Sequence, residues 1–155
     1  MLLFAFSMNQ ESNLFNFLPS EIVELSSLTS LGLEYTLFAV LPSEIGELTS
    51  LNSLSLENNL DYITSFPSEF GKLASLTYLH LVNAGIAFLP SEIGKLSSLT
   101  YLDLGYNDIT FLPSEIGELA SLTYLDLASN YFKFLPSEIG KLSSLTYLDL
   151  GYKQV

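Results

Sequence analysis

The sequence predicts an α/β solenoid. Its coils stack in one direction, with a parallel β-sheet along one face and short helical or 3-10 turns along the other. Three observations predict it. The block Leu89–Tyr106 recurs without change as Leu135–Tyr152. All six prolines mark one point of the repeat, Pro19, Pro42, Pro67, Pro90, Pro113 and Pro136, at intervals of 23, 25, 23, 23 and 23 residues. Each repeat also joins an alternating apolar–polar segment to a proline-led one, as in Tyr101-Leu102-Asp103-Leu104 ahead of Leu112-Pro113-Ser114-Glu115-Ile116-Gly117. A period this short cannot enclose a core of its own, so each coil must be covered by its neighbours.

The N-terminal segment Phe4-Ala5-Phe6-Ser7-Met8-Asn9 fits the strand frame, but Pro19 follows Phe6 by 13 residues where Pro113 follows Leu104 by nine. A single domain, 1–155, is expected: 1–18 a degenerate first coil, 19–144 regular repeats, 145–155 an incomplete last coil. That makes about seven coils, a stack roughly 30 Å tall at ~4.8 Å per strand. Within a coil, Leu102 and Leu104 alternate inward while Tyr101 and Asp103 face outward. Pro113 suits the first helical position, where a missing N–H costs nothing. Glu115 lies at the positive end of that turn, Gly117 is a natural stop, and Ile116 and Leu119 point inward. Phe17, Phe88, Phe111 and Phe134, each just ahead of Leu-Pro, are expected to pack in the core or the spine. The two extra residues between Asn58 and Thr64 are expected to form a loop bulge. Leu148, Leu150 and Tyr152 close the sequence without a further proline-led half, which makes the last strand an expected bare edge.

Leu99-x-x-Leu102-x-Leu104-x-x-Asn107-x-Ile109, followed by Leu112-Pro113-x-x-Ile116-x-x-Leu119, resembles the leucine-rich repeat. The 23-residue period and the Leu-Pro-x-x-Ile segment are similar to the short class of Ras-group and related plant intracellular proteins. The resemblance implies a horseshoe arc with the strands on its concave side, no shared catalytic residues, and recognition of proteins, often on that concave face. It also implies an inward asparagine ladder between coils. The matching positions are Thr36, Asn59, Ala84, Asn107, Asn130 and Lys153, so the ladder is expected to be weakest in the N-terminal half and at the last coil.

Repetition turns the sequence into columns. One outward strand column reads Ser30, Ser53, Tyr78, Tyr101, Tyr124, Tyr147, and the next Gly32, Ser55, His80, Asp103, Asp126, Asp149. Just beyond the strand stand Tyr35, Asn58, Asn83, Tyr106, Ser129 and Tyr152. Tyrosine offers large contact area at low entropy cost and can hold Lys or Arg through its ring face. The expected partner-binding residues are therefore Tyr78, Tyr101, Tyr124, Tyr147, Asp103, Asp126, Asp149 and Tyr106. Repulsion among the aspartates, about 1 kcal/mol per neighbouring pair in water, should peak at the central Asp126 and favour protonation. A solvated acidic face inherited by duplication is the alternative. A straight row of carboxylates lacks the wrapping loop that calcium requires.

Net charge is −12, with 17 acids against five lysines. That disfavours nucleic acid and anionic membranes and makes a basic protein or peptide the electrostatic complement. No apolar run reaches the roughly 18 residues of a membrane span. With no cysteine and no glycosylation sequon, a cytoplasmic setting is expected. His80, the sole histidine, should stack on Tyr78 or Tyr101 or face solvent. No nucleophile–base pair, phosphate loop or metal motif is present, so neither enzymatic activity nor a cofactor is expected. Two functions are compatible with these columns: concave-face recognition, or a structural role as a self-assembling module or a piece of a longer repeat array, associating through its uncapped ends, as in a homodimer.

Overall fold

The computed structural model describes residues 17–37, 39–59 and 63–152. The expected first strand near Phe4–Phe6, residues Leu60–Tyr62 of the expected loop bulge and the ladder position Lys153 lie outside them. Among the described residues, six strands form one parallel sheet in sequence order: β1 (Ser30–Gly32), β2 (Ser53–Ser55), β3 (Tyr78–His80), β4 (Tyr101–Asp103), β5 (Tyr124–Asp126) and β6 (Tyr147–Asp149). Each is preceded by a 3-10 turn: η1 (Ser20–Glu24), η2 (Ser43–Glu47), η3 (Ser68–Lys72), η4 (Ser91–Lys95), η5 (Ser114–Glu118) and η6 (Ser137–Lys141). The solenoid is thus as expected, and its register pairs Leu79, Leu102, Leu125 and Leu148 across adjacent strands.

The turns are 3-10 because each proline carbonyl accepts the N–H three residues on, as in Ile116 N–H to Pro113 O at 3.1 Å. Proline stands one place earlier than expected. Pro113 is extended, at φ −65° and ψ 149°, and caps η5 rather than opening it. The missing N–H is harmless at either position, so the composition does not separate them.

Between sheet and turns runs a single apolar core. Leu54, Leu79, Leu102 and Leu125 supply one file, Leu56, Leu81 and Leu104 the next, and Ile45, Phe70, Ile93 and Ile116 face them from the turns; all have zero exposure. At the β6 edge the same file emerges, with Leu148 41% and Leu150 53% exposed.

Polar groups are satisfied between coils rather than within them. Leu81 N–H donates to Asp103 O and Leu104 N–H to Asp126 O, both at 2.9 Å. Thr100 Oγ1 and Thr123 Oγ1 each donate to the threonine carbonyl one coil earlier, both at 3.0 Å. Asn107 is the centre of the ladder. Its Nδ2 donates to Leu81 O (2.7 Å), Leu104 O (2.9 Å) and Gly105 O (3.1 Å). Its Oδ1 accepts from Ala84 N (3.1 Å) and Ile86 N (3.0 Å). Thr36 instead makes a local bond to Leu33 O at 2.8 Å, so the N-terminal rung is the weaker one, as expected.

Two placements differ from expectation. Gly117 does not stop its turn but lies inside it, because a Cβ there would stand 2.7 Å from Glu138 O of the next coil. Phe17, Phe88, Phe111 and Phe134 are 68, 45, 51 and 72% exposed. The neighbouring Leu89 and Leu112 are buried, and in extended backbone the adjacent side chain points the other way. The column just past the strands is left-handed: Tyr35, Asn58, Asn83, Tyr106 and Ser129 have φ between 50° and 57°. That bend turns each N–H along the stack, so Tyr106 N–H reaches Ala128 O at 3.0 Å. A non-glycine residue there costs on the order of 1 kcal/mol.

Candidate functional site

The concave face takes its order from the sheet. Parallel pairing sets Tyr78, Tyr101, Tyr124 and Tyr147 opposite one another, and strand spacing is close to the thickness of two stacked rings. The phenol rings form one continuous pile. Centroid distances are 4.4, 4.3 and 4.3 Å, with interplanar angles of 13°, 9° and 0°. The rings of Tyr101 and Tyr124 are therefore covered on both faces. Ring faces stay open only at the two ends of the pile, so the expected grip on cations through ring faces is confined to Tyr78 and Tyr147.

The aspartates share the face, but not as a solvated stripe. Asp103 is 8% and Asp126 3% exposed. Each carboxylate folds back on its own strand end: Oδ1 accepts from the N–H two residues on, Gly105 at 3.0 Å, Ala128 at 2.8 Å and Gly151 at 2.8 Å. The other oxygen receives a phenol, Tyr101 OH to Asp103 Oδ2 at 3.2 Å and Tyr147 OH to Asp149 Oδ2 at 3.3 Å. In β4 and β6 the Tyr-Leu-Asp strand is thus a small device, in which the aspartate holds both the turn and the tyrosine hydroxyl. Hydrogen-bonding reach within Tyr-x-Asp was the signal available for this. Tyr106 is only half-buried and stands beyond the strand, in the left-handed column rather than in the pile.

Burial raises the pKa of Asp103, with the neighbouring Asp126 charge adding to it and the Gly105 N–H opposing it. At Asp103 desolvation is the leading cause and the neighbouring charge a lesser one. Burial likewise pushes Tyr101 well above the ordinary phenol value, assisted by the charge of Asp103. The folded protein therefore keeps that proton where the unfolded chain has released it. The contribution to stability is complete below the ordinary phenol value of about 10 and is lost as pH rises above it. Tyr101→Phe is expected to lessen the fall in thermal midpoint between pH ~9 and ~11, read by circular dichroism.

His80 stands beside the N-terminal half of the pile, 6.0 Å from the Tyr78 ring and 6.3 Å from Tyr101, roughly parallel to both. Its Nε2 is 3.3 Å from Glu57 Oε2 and its Nδ1 3.6 Å from Asp103 Oδ2. Among the described residues no cluster of three or more metal-ligating side chains is assembled.

A family model described as a leucine-rich repeat region matches residues 67–155, more than half of the sequence. The chain belongs to the leucine-rich repeat family. A comparison with curated protein sequences returns no match. Solved structures do match. A leucine-rich repeat protein of Leptospira interrogans is 40% identical with a TM-score of 0.80, over 93% of this chain and 37% of that one. The plant peptide hormone receptor RGFR1, solved in complex with RGF2, is 30% identical with a TM-score of 0.73, over 87% of this chain and 22% of that one. The Arabidopsis receptor kinase HAESA, in complex with the peptide hormone IDA and the co-receptor SERK1, is 30% identical with a TM-score of 0.73, over 88% and 24%. This chain spans well under half the length of each of these leucine-rich repeat proteins.

Proposed function

We propose that this leucine-rich repeat protein is a non-catalytic recognition module that binds a protein or peptide, basic in character, on its concave face. The observation that carries the reading is the four-tyrosine pile joined to its aspartates. It is a rigid surface with hydroxyls and ring edges held in place, so little side-chain entropy remains to be lost on binding. The net charge of −12 favours a basic partner. Peptide-bound structures of similar solenoids support the same class of function. Because the inner ring faces are covered, recognition falls to hydroxyls, ring edges and the two end rings.

The test is affinity capture with the 155-residue chain from its source cells, compared with a Tyr101→Ala/Asp126→Ala variant whose folding is checked by circular dichroism. Loss of the captured partner by at least tenfold in the folded variant is expected; unchanged capture sinks the proposal. Self-assembly is the second reading, favoured by the exposure of Leu148 and Leu150 at the β6 edge. It predicts concentration-dependent sedimentation that the concave-face variant does not alter.

A further inference from the structure

The tyrosine pile ends at a notch. On β1 and β2 the outward positions of the concave face are Ser30, Gly32, Ser53 and Ser55. Ser53 pairs with Tyr78 and Ser55 with His80 in the parallel register, so the place of a fifth ring is left open over Ser53. Strand spacing of ~4.8 Å and the pile's own centroid distances of 4.3 to 4.4 Å leave room there for one flat group. The Tyr78 side chain that borders the notch is exposed. His80 does not fill it. Its ring is 6.0 Å from Tyr78 and 6.3 Å from Tyr101, and nearly equal distances put it beside the pile rather than over the open end. Carboxylates wall the notch. Glu34 and Glu57 occupy equivalent places, two residues beyond β1 and β2. Glu57 is held: its Oε1 accepts from Asn58 Nδ2 at 2.9 Å and its Oε2 stands 3.3 Å from His80 Nε2, while the side chain keeps 37% exposure. Glu34 lies back over its strand, where a Cβ on Gly32 would stand 2.8 Å from its Oε2. Among the described residues no lysine offsets them on this face. Lys72, Lys95 and Lys141 belong to turns η3, η4 and η6, with Lys72 2.9 Å from Glu47, and Lys133 lies between β5 and η6.

We propose that the notch is a subsite for an arginine side chain of a bound peptide, whose guanidinium stacks on Tyr78 above Ser53 and donates an edge N–H to Glu57. The subsite belongs to the concave-face recognition proposed above and rests on that reading. Shape and charge together select the group. Guanidinium is flat, so it takes the fifth place in the pile while its N–H fork lies in the ring plane, toward the carboxylate. Both demands are then met at once, and a charge-assisted bond to Glu57 is the stronger kind. An ammonium is a compact point charge that does not fill the plane. A neutral ring fills the place and leaves the two carboxylates unanswered. The other open face of the pile, on Tyr147, has no such wall. Asp149 there is already engaged by the Gly151 N–H at 2.8 Å and the Tyr147 hydroxyl at 3.3 Å. At Tyr78 the equivalent position is His80, so this strand has no aspartate to take up its tyrosine hydroxyl.

The probe is Nα-acetyl-arginine N-methylamide, set beside the matching lysine and citrulline compounds. Binding to the 155-residue chain is read by NMR shift mapping of amides and tyrosine rings. Saturable shifts at Ser53, Ser55, Glu57 and Tyr78 are expected, with the arginine side-chain protons moved upfield by the ring they stack on. The arginine compound should bind at least about threefold more tightly than either control. Tyr78→Leu and Glu57→Gln should each lose at least about threefold, and Tyr78→Phe, which keeps the ring face, should restore what Tyr78→Leu loses. Glu92→Gln removes one charge from η4 on the turn side and should change nothing. Should Tyr78→Leu unfold, the shift map and the upfield movement on the unmodified chain decide. Equal binding of the lysine or citrulline compound, shifts centred on the turn glutamates or on Tyr147, or no binding overturns the subsite. Those results leave partner capture by the concave face untouched. Arginine bound at Tyr78, beside partner capture that the Tyr101→Ala/Asp126→Ala variant leaves unchanged, supports the subsite and sinks only the wider reading.

Discussion

Asn107→Ala is expected to cost about 3–5 kcal/mol, because it strands two buried N–H groups at roughly 1–3 kcal/mol each and removes a donor shared by three carbonyls. The side chain is 4% exposed. It bonds Ala84 N and Ile86 N on the preceding coil and three carbonyls in two coils. Ala84 occupies the ladder position of the preceding coil and has no side-chain polar group of its own, so no local substitute exists for what Asn107 supplies. The same ladder provides its own graded controls. Asn130 is partly exposed, and its Oδ1 accepts from Ile109 N at 3.1 Å. Asn130→Ala should cost about half as much. Thr36 makes one local bond, and Thr36→Ala should cost about 1 kcal/mol. Urea midpoints give the order. Because stacked coils can open separately, hydrogen exchange at Ala84 and Ile86 is the sharper readout. Unchanged protection of those two amides in Asn107→Ala would show that the ladder does not hold the coils together.

Two kinds of information were legible in the sequence to different degrees. The repeat period decides which side chains share a file, and it did so without reference to energy. The tyrosines of Tyr78 to Tyr147 and the leucines of Leu79 to Leu148 stand in register as their spacing requires. What the period does not decide is how deep a file sits or which way the backbone turns between files. The alternation that puts Asp103 on the concave face says nothing about the Gly105 N–H that draws its carboxylate inward. The Phe-Leu-Pro segment carries two adjacent apolar residues, and composition alone does not choose which is inside. The structure chooses leucine and leaves phenylalanine in water. The left-handed turn at Tyr106 was hidden for another reason. Only Asn58 and Asn83 in that column carry a side chain that favours such a conformation, while Tyr35, Tyr106 and Ser129 each donate a coil-to-coil hydrogen bond from it.

Glycine at the fourth place of η2 to η6 separates local preference from stacking, and one pair of substitutions isolates the second. Gly94 and Gly140 lie in the same five residues, Ser-Glu-Ile-Gly-Lys, in the same 3-10 conformation. A Cβ at Gly94 would stand 2.7 Å from Glu115 O, 2.9 Å from Glu115 Cβ and 3.0 Å from Glu118 Oε2. All three atoms belong to the next coil, and the first two move only if that coil's backbone moves with them. At Gly140 nothing among the described residues lies within 4 Å. Any change in the unfolded chain is the same at both sites, since the flanking sequence is the same. Gly140→Ala is therefore expected to stabilise by about 0.4–1 kcal/mol through lost chain entropy. Gly94→Ala pays an overpacking cost of about 1–3 kcal/mol and should lower the melting temperature where its counterpart raises it. The two melting curves, recorded on the 155-residue chain at low concentration, need only differ in sign. A Gly140→Ala variant that destabilises as much as Gly94→Ala would mean that another coil's backbone packs on η6 in solution. In that experiment the occupant would be a second copy of the 155-residue chain, and the concentration dependence of the melting curve would reveal it.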